Sequence, residues 1–135
     1  MLNALNRAYA LALSRQKRRQ GETLKSKFAT LIETPQTLAG GLAPAASAAL
    51  ALPANARLAA SSDVPVAAGA VVVNVAGGRV LGTPALAADQ IYEIGYLEAG
   101  KTVTLEKTTA GAGTVTLYYL DEWKRPYPIA SATFT

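Results

Sequence analysis

The feature that most constrains this chain is a period-two alternation of apolar and polar residues, punctuated by Gly and Pro, through residues 63–135. Val71, Val73 and Val75 alternate in AVVVNVA, and Gly77-Gly78 then turns the chain into Arg79-Val-Leu. Tyr92, Ile94 and Tyr96 share one face of QIYEIGYL, with Ala99-Gly100 as the next turn. Val103 and Leu105 alternate with Thr102 and Thr104; after a Gly-rich loop the chain returns through Val115, Leu117 and Tyr119. The echo of TVTL in these two runs predicts one antiparallel hairpin. A final strand over 129–134 is expected after Pro126 and Pro128. Successive side chains of a strand point to opposite faces. The pattern therefore predicts a mainly β domain of about six to eight short strands, as a small antiparallel sandwich, jelly roll or barrel.

The first 62 residues read differently. Leu2, Leu5, Tyr9 and Leu13 step at intervals of three and four, which predicts a helix over 2–19 with these residues on one face. Gly21 stops it. Leu24, Phe28, Leu31 and Ile32 repeat the helical spacing, against a competing strand over Lys27–Glu33, and Thr34-Pro35 ends either element. Residues 1–35 thus form a basic, helical N-terminal arm. Residues 36–62, rich in Ala and broken by Gly40, Gly41, Pro44 and Pro53, read as an extended low-complexity strap. The expected organisation is arm 1–35, strap 36–62 and β domain 63–135.

Charge is segregated along the chain. Residues 1–27 carry Arg7, Arg15, Lys17, Arg18, Arg19, Lys25 and Lys27 against Glu22 alone, a net +6 within a total of +4. The remainder is therefore −2. Such an Arg-rich start resembles a transit peptide in composition, but its densest cations follow the apolar run instead of preceding it, so a retained arm is expected. Arg15, Lys17, Arg18 and Arg19 repel one another unless a counter-charge is supplied, which makes them, with Leu2, Leu5, Tyr9 and Leu13, the candidate partner-binding residues of the arm. Nucleic acid is a weaker expectation for that partner, because the body is acidic and no aromatic is interleaved in the cluster. No run of residues approaches the ~20 apolar positions of a membrane span.

Little in the chain suggests catalysis. It has no His and no Cys, which removes the usual general base, thiolate chemistry and the commonest metal ligands. Asp121 and Glu122 are adjacent, so in a strand they face opposite ways and read as a charged turn. No G-x-S-x-G, phosphate-cradling loop or D-x-D-x-D pattern occurs. No catalytic, cofactor or metal residue is assigned. Trp123, the only Trp, stands beside Lys124, Arg125 and Tyr127; Trp123 and Tyr127 are a candidate surface anchor, with sealing of one end of the core as the plainer role. The apolar residues are mostly Ala, Val and Leu. Alanine buries little area, so a marginal core and support from a partner are expected.

The Ala/Gly/Pro strap of 36–62, the Val/Thr/Ala-rich strands of 70–76 and 102–117 and the DEWKRPYPIASATF ending resemble tailed-bacteriophage capsid cement (decoration) proteins, such as the small jelly-roll cement protein of a short-tailed Bordetella phage. The resemblance implies a non-enzymatic virion protein on the outer surface of the capsid, stabilising the shell by bridging neighbouring major capsid protein subunits. It implies a homo-oligomer too, a dimer ahead of a trimer. Other classes compatible with the residues are a head–tail connector or fibre base, a nucleic-acid-binding module using the basic arm, and a carbohydrate-binding sandwich with Trp123 and Tyr127 as a platform.

Overall fold

The computed structural model describes residues 27–98 and 100–135. Within them lie one short helix, α1 (27–33), and ten strands. These are β1 (Gln36–Gly41), β2 (Ala45–Ala46), β3 (Leu50–Ala51), β4 (Ala56–Ser62), β5 (Val71–Val75), β6 (Arg79–Gly82), β7 (Tyr92–Leu97), β8 (Thr102–Lys107), β9 (Gly113–Leu120) and β10 (Pro126–Phe134). One sheet has the order β1-β10-β9-β4-β7; the other has β2-β8-β5-β6, with β3 also on β8.

The pairings are nested. The β5–β6 hairpin is innermost, β4 pairs antiparallel with β7, and β2 and β3 pair antiparallel with β8. Outside these, β1 pairs with the last strand. The chain therefore behaves as one long hairpin wound into two sheets, which is the jelly-roll arrangement. The β9–β10 hairpin adds one strand to this plan. Because β10 is interposed between β1 and β9, β1 runs parallel to it.

Alternation fixes which face of each strand is buried. In β8, Val103 and Leu105 point inward between half-exposed threonines, and in β9 Val115, Leu117 and Tyr119 do the same. Opposite them stand Val71, Val73 and Val75 of β5 and Leu58 of β4, while Ile129 and Phe134 of β10 complete the interior. The core is thus larger than the Ala-rich composition suggests. Both Phe and most Leu and Val of the described residues occupy buried positions, and alanines fill close-packed sites such as Ala60, Ala130 and Ala132.

Two expectations are corrected. The segment 36–62 is extended, but it does not lie outside the β domain: it supplies β1 to β4 and joins both sheets. Its Gly and Pro residues sit in or between short, irregular strands, and a side chain can bridge such a break. Between β2 and β3, for example, Ser47 Oγ accepts the Leu105 N–H at 2.9 Å while Ser47 N–H donates to Leu105 O at 2.7 Å. The TVTL echo is not a hairpin either. β8 and β9 lie in opposite sheets, and Val103 and Leu105 share the core with Val115 and Leu117 instead of pairing with them. The five residues between the strands, 108–112, cross from sheet to sheet.

The segment over 27–33 is helical, so the competing strand is not formed. Phe28 is fully buried and stacks on Tyr119 with ring centroids 4.3 Å apart, while Leu31 and Ile32 pack against the core. Thr34 N–H closes the last turn on Thr30 O before Pro35. The expected helix over 2–19 lies outside the described residues.

Every sheet edge is blunted. β1 is irregular between Leu38 and Gly41, β7 is bulged opposite Leu58 and Ala59, β6 has four residues, and β2 and β3 have two each. Short and bulged edges resist strand addition. A self-contact built on an exposed edge strand is therefore poorly served by this fold.

Candidate partner-binding site

The turn joining β9 to β10 is the most heavily organised part of the surface. Asp121, itself buried, accepts the N–H groups of Trp123 at 2.9 Å and Arg125 at 2.8 Å through Oδ1. Its Oδ2 accepts the Tyr127 hydroxyl at 3.4 Å. Asp121 N–H donates to Arg125 O and Lys124 N–H to Asp121 O, closing the turn with Lys124 in the left-handed region at φ 59°. An Asp at the start of such a turn is favoured because its carboxylate satisfies the backbone donors that the turn exposes. Here that geometry fixes Trp123 in place while leaving it 69% exposed. The Arg125 guanidinium lies over its ring, 5.5 Å from the centroid.

Trp123 thus faces outward and does not seal the core. Tyr127 is not its companion. It is opposite Tyr119 in the β9–β10 ladder, and its ring stacks toward Tyr119 with centroids 6.3 Å apart, half-buried. Trp123 and Tyr127 therefore do not form a shared stacking platform, and Arg125 already covers part of the Trp ring.

Beside the turn, the five-stranded sheet carries two depressions that share Leu120 in their lining. The larger, about 410 Å³, is lined by Asn55, Arg57, Tyr96, Tyr119, Asp121 and Glu122 with Ala56. The smaller, about 300 Å³, lies among Ala59, Ile91, Glu93, Lys124 and Pro126. Between them Glu93 is shared by Arg57 at 3.8 Å and Lys124 at 3.7 Å. Both pairs are well exposed and stabilise little individually. Tyr96 is 46% exposed and Ile91 42%, so large apolar groups flank this charged strip. Trp, Tyr and Arg are the residue types that dominate binding energy at protein interfaces.

Burial raises the phenol of Tyr119 above its usual range, and the nearby charges of Glu122 and Asp121 and the neighbouring Tyr127 add to the effect. The site therefore has a negative field on one side and guanidinium and ammonium groups on the other. Adjacent Asp121 and Glu122 do not form an acid–base pair, since Asp121 is committed to the turn while Glu122 is exposed. Among the described residues no group of three His, Cys, Asp or Glu could hold a metal ion, and no helix is long and apolar enough to cross a membrane.

The arm residues Leu2, Leu5, Tyr9, Leu13, Arg15, Lys17, Arg18 and Arg19 lie outside the described residues. So do Ser14 and Lys17 as an S-x-x-K spacing, which the sequence presents without the S-D-N and K-T-G elements of the penicillin-recognising enzymes. What the structure adds is where the arm begins. Lys27 directly precedes Phe28, and Phe28 stacks on Tyr119, whose neighbours are Tyr127 and the Asp121 turn. The root of the arm and the Trp123 turn are therefore at the same end of the sandwich. Sequence reasoning missed the depressions on the five-stranded sheet, because Arg57, Tyr96 and Glu122 are far apart in the chain and meet only through the β7-β4-β9 register. Comparison with protein-family profiles, with curated proteins and with solved structures finds no match in any of the three.

Proposed function

We propose that this protein is a non-enzymatic structural component of a virus particle, a cement protein on the outer surface of the capsid that bridges neighbouring major capsid protein subunits. The observation that carries this reading is the placement of two attachment elements at one end of a jelly-roll sandwich. A rigid turn holds Trp123 outward, and a segment of net +6 joins the domain beside it. A linked pair of weak contacts binds far more tightly than either alone, because the second engages at high effective concentration. Jelly rolls serve capsids and lectins alike, so the fold alone does not choose between them. The half-buried Tyr127 and the Arg125-covered Trp123 favour a protein partner over a sugar.

In this reading the cations Arg15, Lys17, Arg18 and Arg19 meet acidic surface on the capsid, and Trp123 fills an apolar pocket nearby. Self-association as a dimer or trimer would use a face or an end of the sandwich, since its edges are blunted. No cofactor has a role.

Binding of the full-length protein to particles stripped of it tests the proposal. Trp123→Ala should weaken binding by at least about tenfold, as for a central anchor. Neutralising Arg15, Lys17, Arg18 and Arg19 to Gln should weaken it further and flatten its salt dependence. Unchanged affinity in both variants would rule out this mode of attachment.

A further inference from the structure

The larger depression and the root of the arm share a residue. Tyr119 lines the groove, and the Phe28 ring stacks on that same Tyr119. The cationic segment therefore enters the domain beside the groove.

The groove is chemically suited to a cation. Glu122 is exposed and makes no ion pair among the described residues. Asp121 adds a second negative charge, although its oxygens are engaged by the turn. Tyr96 offers an exposed ring whose face attracts cations. The one cation in the lining, Arg57, is drawn toward Glu93 on the far side.

We propose that this groove holds the cluster Arg15, Lys17, Arg18 and Arg19 of the chain's own arm, parking it on the domain until a more acidic surface competes for it. Reach is sufficient: the eight residue steps from Arg19 to Lys27 span up to ~28 Å. Tethering supplies an effective concentration in the millimolar range, so a weak site is occupied. Exposed ion pairs contribute only ~0–1 kcal/mol each, so the hold is weak enough to release. This parking does not depend on where the protein works. Its failure would leave the capsid proposal standing, and the reverse is equally true.

The chain has no Cys, so one introduced thiol labels a single place. Gln20→Cys carrying a nitroxide, in the otherwise unaltered full chain, should broaden the amide signals of Asn55, Tyr96 and Glu122 at ~20 mM salt and release them at ~500 mM. Amides near Gly111, at the opposite end of β9, should be unaffected. The broadening should vanish in Glu122→Lys and return when Arg18→Glu and Arg19→Glu are combined with it. It should not change on dilution. Broadening confined to other regions, or insensitive to salt and to Glu122→Lys, would overturn the proposal. Broadening that scales with protein concentration would do so too, by assigning the groove to the arm of a second copy.

Discussion

Replacing Phe28 with Ala is the sharpest single perturbation of this fold. Phe28 is fully buried, is the first large side chain of α1, and stacks nearly parallel on Tyr119, with an interplanar angle of 10°. Truncating a buried Phe costs about 3–5 kcal/mol, the lost transfer free energy plus the cavity that remains. The aromatic pair contributes part of this, ~0.5–1.5 kcal/mol. α1 has only seven residues and ends at once, with Thr34 N–H bonded to Thr30 O, so it can settle partly into the space. The expected loss is therefore near the lower bound, ~3 kcal/mol. For a domain of this size that lowers the melting temperature by roughly 10–20 °C. Urea denaturation followed by circular dichroism measures it, with Phe28→Leu as a control expected to lose less than about 1.5 kcal/mol. Tyrosinate absorbance gives a second readout: opening the cover on Tyr119 should bring its phenol back toward the ordinary value. A loss below ~1 kcal/mol with the Tyr119 titration unmoved would show that Phe28 does not plug the sandwich, and the placement of the arm at that end would fall with it.

Three further predictions probe other parts of the fold. Gly40→Ala drives its new methyl into the Thr133 carbonyl between β1 and β10 and should cost at least ~2 kcal/mol, whereas Gly82→Ala, which meets open space, should be near neutral; denaturant midpoints separate the two. Asp121→Ala strands the N–H groups of Trp123 and Arg125 and should cost ~1–3 kcal/mol, with a fall in Trp fluorescence anisotropy as the turn loosens. Folding raises the Tyr119 phenol, so the stability it contributes is complete below its unfolded value near ~10 and is lost as pH rises through the folded value. Denaturant midpoints between about pH 9 and 11 should fall more steeply in the parent than in Tyr119→Phe.

Strands whose two faces differ strongly in polarity could be read from the sequence, and those whose faces do not differ could not. β5, β8 and β9 set Val and Leu against Thr and Asn, so alternation located them. Residues 50–58 alternate as well: Leu50, Leu52, Ala54, Ala56 and Leu58 are buried, and Ala51, Pro53, Asn55 and Arg57 between them are exposed. Alanine on both faces and the scattered Pro and Gly hide that rhythm, so the segment read as a strap. Alternation also says nothing about which sheet a strand joins, which is why the TVTL echo suggested a hairpin. In β7 the bulge at Ile94 breaks the period, so Tyr96 is outward while Tyr92 and Ile94 lean on the core. At the candidate site, the sequence left Trp123 open between an outward anchor and a seal on the core, because a lone Trp beside Lys and Arg in a turn can face either way; the Asp121-closed turn is what leaves it exposed. The inward turn of Tyr127 was not legible, since it follows from its pairing with Tyr119. Any deletion of the arm must end before Lys27, not at a boundary near residue 62, because α1 and β1 belong to the folded domain.

The most direct test of the account is the copy number and location of this chain in its native particle, measured by cryo-electron microscopy. The account predicts shell-wide occupancy on the outer capsid surface, with the Trp123 end of each sandwich and its arm seated over joints between major capsid protein subunits. Absence from the particle, or a few copies confined to a single vertex, would contradict it.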